Sequence, residues 1–127
     1  MGENSTVKIR NFRDLKIWQR GIVLVEQIYN ISKSFPKEEI YGLQSQIRRS
    51  AVSIPSNIAE GFARLHNKEY RNFLYIALGS SAELITQIII ASKLKYIEQE
   101  KAENIIEEIE EISKMTMSLI KKLNTNN

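Results

Sequence analysis

Apolar residues recur along this chain at intervals of three and four, and nowhere do they alternate at the interval of two that a half-buried strand requires. Four stretches carry the pattern. The first begins near Asp14, a residue type favoured at a helix N-cap, and ends at Phe35-Pro36. It bears two adjacent stripes: Leu15, Trp18, Ile22, Val25, Tyr29, and beside them Ile17, Gly21, Leu24, Ile28, Ile31, Phe35. Together they make a wider apolar arc than a peripheral helix needs. The second stretch, from about Glu39 to Phe62, places Leu43, Ile47, Ala51, Ile54, Ile58 and Phe62 on one face, with Pro55 in its middle. A proline there removes one backbone donor and presses on the carbonyl of Ala51, which predicts a bend. The apolar phase is the same on both sides, so the spacing predicts one kinked helix rather than two. A second line on it, Gln46, Arg49, Ser53, Ser56, Glu60 and Arg64, is polar and mostly small.

The third stretch opens at Asn67, with Glu69 in its first turn, and runs to about Leu94. Its Gly79-Ser80-Ser81-Ala82 segment would let a neighbouring helix come close. The fourth has the narrowest seam, Ala102, Ile105, Ile109, Ile112, Thr116, Leu119 and Leu123, under an outer face that carries Glu100, Glu103, Glu107, Glu110 and Glu111. Four long helices with short links predict an all-α, up-down-up-down antiparallel four-helix bundle. The bundle occupies residues 12–123 in this reading, between a flexible N-terminal arm at 1–11 and a frayed tail at 124–127.

Composition narrows the picture. With 127 residues, 43% hydrophobic and 26% charged, the chain has enough apolar material for one domain with a real core. It contains no cysteine, which excludes disulfides and thiolate metal sites and suits a reducing cytoplasm. The N-terminus lacks a basic-then-apolar signal pattern. The longest apolar run, Leu84 to Ala91, is broken by Thr86 and Gln87 and reads as too short to span a bilayer. A soluble, cytoplasmic protein with no membrane association is expected.

Catalytic patterns are missing. The single histidine, His66, lies in the link between the second and third helices. The Glu-x-x-His pairs of bundle di-metal sites do not occur, and Arg64 precedes His66 by two residues, which points the two apart. No enzyme activity, metal or cofactor is expected.

Charge is more telling. The net charge is +3, but residues 1–75 hold twelve Lys/Arg against seven Asp/Glu, whereas residues 76–127 hold six against eight. In an antiparallel bundle the start of the first helix, the end of the second and the start of the third share one end. Arg13, Lys16, Arg64, Lys68 and Arg71 therefore converge, with Trp18 and Tyr70 near. With Arg20 and Arg48 they form the candidate nucleic-acid-binding set, by neutralisation of phosphates. Solvated helix faces and self-association surfaces produce the same asymmetry. Arg49, Glu60, Glu83 and Gln87 are the candidates for a polar network that sets the register between helices or subunits.

The run Gln46-Ile47-Arg48-Arg49-Ser50-Ala51-Val52-Ser53-Ile54-Pro55-Ser56-Asn57-Ile58-Ala59-Glu60-Gly61 closely resembles the signature of the four-helix-bundle proteins named for the 23S rRNA intervening sequences. Phe12-Arg13-Asp14-Leu15 with Trp18 is similar to the opening of that family. Phe73 to Ala77, Gly79-Ser80 and Glu83 to Gln87 are similar to its third helix. The resemblance covers roughly residues 12–123. Lys95 stands where the family has a glycine, which predicts strain in the last turn, and Ile85 replaces an acidic residue. The resemblance implies a ring-shaped homopentamer, and kinship with the accessory protein of diversity-generating retroelements, which binds nucleic acid and a reverse transcriptase. Two functions are thus in view. One is a non-enzymatic homo-oligomer that binds RNA or other structured nucleic acid through a basic pole. The other is a protein-interaction scaffold.

Overall fold

The computed structural model describes residues 9–125. It contains four helices, α1 (Lys16–Ser32), α2 (Leu43–Phe62), α3 (Asn67–Lys93) and α4 (Gln99–Thr125), with 3-10 turns at Phe12–Asp14 and Lys37–Glu39. The described residues form no strand, as the apolar spacing predicts. Residues 1–8 of the expected arm, Lys8 among them, and the last two residues of the expected tail lie outside the described residues. Asn124 and Thr125, expected to fray, continue α4.

The first helix does not start where the sequence places it. The Asn11 side chain accepts a hydrogen bond from the Arg13 N–H at 2.9 Å and closes the Phe12–Asp14 turn. Asp14 is thereby spent inside that turn, and Leu15, with extended backbone, takes the N-cap position of α1 without a side-chain cap. Phe12 seals the arrangement edge-on against Trp18, with ring centroids 5.4 Å apart. The helix also stops earlier, at Ser32, and Phe35 is buried beyond it against Tyr96.

Helix α2 starts at Leu43 because Glu39 caps it. One carboxylate oxygen accepts from the Leu43 N–H at 2.9 Å, and the other accepts from the Tyr96 hydroxyl at 3.0 Å. That ties the start of α2 to the α3–α4 link, and the carboxylate hydrogen bond holds the Tyr96 phenol above its usual pKa. Helix α2 then runs through Pro55 as one element.

Helix α3 ends in a two-bond turn, with Tyr96 N–H donating to the Ala91 carbonyl at 2.9 Å and Lys95 N–H to the Ser92 carbonyl at 3.0 Å. That turn needs a left-handed residue, and Lys95 supplies it at φ 70, a conformation that L side chains resist. The expected strain falls on the expected residue.

The core is made where the apolar lines meet. Leu24 and Ile28, Ile47 and Ile58, Leu74 and Leu84, and Ile109 are wholly buried. Each such side chain contributes about 1.5–3 kcal/mol relative to leaving it exposed. Helix α1 packs on α2 and α4, and α3 packs on the same two. Contacts pair residues in reversed order along neighbouring helices: Gly21 with Pro55 and Ser32 with Arg48, Ser53 with Ser80 and Gly61 with Tyr70 and Phe73, and Arg71 with Leu123. Consecutive helices therefore run antiparallel, and the start of α1, the end of α2, the start of α3 and the end of α4 share one end of the molecule.

Helix α3 corrects one expectation: by length and composition it is apolar enough to cross a membrane, because the weak interruptions at Thr86 and Gln87 do not lower the average. One side of it, including Leu74, Leu84 and Ile88, lies in the bundle core. The other side leaves Tyr75, Ile76, Ile89 and Ile90 exposed. The double apolar arc of α1 divides similarly: Ile17, Leu24 and Ile28 of the second stripe face the core, while Ile22 and Tyr29 of the first stay exposed.

Candidate nucleic-acid interface

At the shared end, Arg13, Lys16 and Lys68 are exposed on the first turns of the chain and of α3. Lys16 and Lys68 make no ion pair among the described residues. Arg13 is held close to the surface by its Nε donating to Asn11 at 3.3 Å. Arg64 lies over the Phe73 ring at 4.7 Å and pairs with Glu60, one turn back, at 3.2 Å. Both partners are well exposed, so the pair is worth at most about 1 kcal/mol and leaves the guanidinium accessible. Arg71 donates to the Leu123 carbonyl at 3.3 Å, which satisfies part of the open C-terminus of α4.

Two cations outside the sequence-based set join them. Lys121 and Lys122 are exposed on the last turns of α4, which ends beside Arg71. Counting the length of the fourth apolar seam would have placed them there. The acidic residues at this end are Asp14, Glu60 and Glu69, so cations outnumber carboxylates. The expected convergence of Arg13, Lys16, Arg64, Lys68 and Arg71 at one end is what the fold produces.

Two members of the candidate set belong elsewhere. Arg20 faces α4, where its Nε and Nη2 donate to both oxygens of Glu108 at 2.9 and 2.7 Å. This hydrogen bonding raises the Arg20 pKa further. Arg48 lies at the opposite end, donating to the Ser32 hydroxyl at 2.9 Å and the Tyr29 carbonyl at 3.3 Å, with its guanidinium 4.4 Å from the Tyr29 ring centroid. Both arginines join helices. The aromatics at the basic end are structural as well. Trp18 packs on Phe12, Tyr70 meets Phe62 edge-on at 6.0 Å, and burial pushes the Tyr70 phenol up to about 12.

The two polar lines of α2 and α3 meet in one seam. Ser53 and Ser80 share a hydrogen bond of 2.8 Å at its centre. Counting outward from that bond puts Arg49 opposite Glu83 and Gln46 opposite Gln87. Yet Arg49 and Glu83 form no ion pair among the described residues, Glu60 pairs with Arg64 instead, and the buried Gln87 Oε1 has no partner. The network expected from Arg49, Glu60, Glu83 and Gln87 is therefore not closed among the described residues: small serines set the helix spacing, Arg49, Glu60 and Glu83 are exposed, and Gln87 alone is buried.

His66 takes the N-cap position of α3 with no side-chain capping bond and is exposed. Among the described residues no three His, Cys, Asp or Glu side chains gather as metal ligands would. What the arrangement offers chemically is a rigid end bearing accessible ammonium and guanidinium groups.

Known proteins place the fold. A solved structure from Bacteroides thetaiotaomicron VPI-5482, a protein with unknown function from the S23 ribosomal protein family, is 27% identical with a TM-score of 0.77. The match covers 83% of this chain and 98% of that one. No curated protein matches the chain. The family model of 23S rRNA-intervening sequence proteins matches residues 13–118. That span takes in all of α1, α2 and α3 and most of α4, so the chain belongs to the 23S rRNA-intervening sequence protein family.

Proposed function

We propose that the protein is a non-enzymatic, homo-oligomeric bundle that binds RNA or another structured nucleic acid at its basic end. The observation that carries this reading is the gathering of Arg13, Lys16, Lys68, Lys121 and Lys122 at one end, exposed and on or beside rigid helix termini. Cations so placed replace condensed counterions on phosphates, and they position a ligand without reading its bases. Self-association would repeat the basic end and multiply its field. The apolar side chains left exposed on α1 and α3 support that part of the reading.

Fluorescence anisotropy with a structured RNA and an unrelated DNA duplex, paired with light scattering for the mass in solution, tests both halves. Saturable binding that weakens as salt rises, by a species heavier than one chain, is the expected result. A second reading, a scaffold for a basic protein partner, is favoured by the exposed Glu100, Glu103, Glu107, Glu110 and Glu111 on the outer face of α4. It gains ground if the oligomer binds neither nucleic acid.

A further inference from the structure

Among the described residues a left-handed backbone occurs at Lys95, with φ 70, and at no glycine. The turn that closes α3 favours a residue without a side chain, and a lysine stands there against that preference. Strain of this kind persists where the side chain that it carries has a use. Lys95 lines a groove of about 580 Å³, within the size range of small-molecule sites.

Two helix faces build the groove. Ile89 and Lys93, four apart, come from the last turns of α3, and Ala102 and Ile106, four apart, from the first turns of α4. That spacing puts each pair on one side of its helix. The link that contains Lys95 joins the two helices and closes one end. The floor is aliphatic. Ala102 is buried and Ile106 packs against the core, but Ile89 is 42% exposed, which leaves apolar surface for another molecule to cover. Among the described residues no aromatic ring lines the groove, so it suits an alkyl chain better than a flat ring.

The charges point to the other half of the ligand. Lys93 and Lys95 are exposed and make no ion pair among the described residues. Glu103 also lines the groove, but its carboxylate already accepts from the Gln99 amide on its own helix at 3.1 Å. Two ammonium groups without partners thus border an aliphatic floor, against one carboxylate that has a donor.

We infer that this groove binds a small aliphatic carboxylate, with its alkyl chain on Ile89, Ala102 and Ile106 and its head at Lys93 and Lys95. The site lies at the end of the molecule opposite the basic one and does not rest on the nucleic-acid reading. A glycine at residue 95 would close the turn with less strain and leave the head with one cation instead of two.

Equilibrium dialysis of the full chain against radiolabelled octanoate, kept below its micelle-forming concentration, tests the inference. Saturable binding is expected. Octanamide lacks the charge and acetate lacks the chain, so each should compete at least about fivefold less well than unlabelled octanoate, the factor that one partly exposed ion pair supplies. Lys95→Gly should weaken binding by a similar factor of about five while melting higher than wild type, a loss that unfolding does not explain. Lys95→Arg keeps both the charge and the strain and should bind as wild type does. Glu103→Gln removes the opposing charge and should tighten binding. No saturable binding by wild type, octanamide competing as well as octanoate, or Lys95→Gly binding as tightly as wild type would each overturn the inference. All three results would leave the nucleic-acid reading as it stands, because the salt dependence of RNA binding is measured at the other end of the molecule.

Discussion

Gly21 on α1 lies against Pro55 on α2, so close that a Cβ at residue 21 would stand 3.2 Å from the proline Cβ. The contact explains how a buried proline is tolerated in the centre of a helix. A proline in a helix interior forfeits one hydrogen bond, at roughly 3 kcal/mol, but its ring is rigid and apolar. Here the ring is covered by a helix that has no side chain at the point of contact. Gly21→Val should overpack this junction and destabilise the fold by about 1–3 kcal/mol, a change measurable by urea denaturation.

Lys95 makes the opposite case, a side chain where none is favoured. Its φ of 70 is imposed by the turn that closes α3. Lys95→Gly should raise stability by roughly 0.5–1 kcal/mol, since relief of the left-handed strain exceeds the added freedom of the unfolded chain. The melting temperature should rise by a few degrees.

Tyr96 and Glu39 join the α3–α4 link to the start of α2. Tyr96→Phe removes the donor and leaves the carboxylate with the Leu43 N–H alone. A lower melting temperature is expected, because the carboxylate loses one of its two donors. A double-mutant cycle with Glu39→Gln should show coupling between the two positions, whereas independent effects would mean that the hydrogen bond is not formed in solution.

Burial lifts the Tyr70 phenol to about 12, above its ordinary 10. Between those values the unfolded chain has lost the phenol proton and the folded chain retains it. Stability is therefore fully present below pH 10 and declines as pH rises toward 12. Tyr70→Phe should flatten that decline, by up to about 1.4 kcal/mol per pH unit, when unfolding is followed across the range.

Much of the fold is legible in the sequence because it depends on a single period. Ile47, Ala51, Ile54 and Ile58 are all buried as their spacing predicts, and so are Ile105, Ile109 and Ile112. Ile120 is buried too, yet it falls outside the predicted fourth-helix seam. Helix beginnings are less legible: Asn11 competes with Asp14 for the capping role, and local propensity does not rank two good caps so near each other. The basic end follows from helix direction alone. Arg20 cannot be assigned correctly that way, because its partner Glu108 is 88 residues distant and meets it only after α1 and α4 pack. Arg48 is similar, being captured by backbone and ring atoms of Tyr29. Long, flexible cations look alike in a sequence, and only the packed neighbours decide which of them remain free.

The central claim is that the uncommitted lysines at the basic end bind phosphates. Lys16, Lys68 and Lys122 form no side-chain bond that supports the fold among the described residues, so their triple alanine variant should remain folded and keep its mass. The most direct measurement is the slope of log affinity for a structured RNA against log salt, for wild type and this variant side by side. The account predicts a slope shallower by about 2–3 in the variant, since each phosphate left without its lysine lowers it by roughly 0.7–0.9. An unchanged slope and affinity, or no binding by the wild type at low salt, would contradict it.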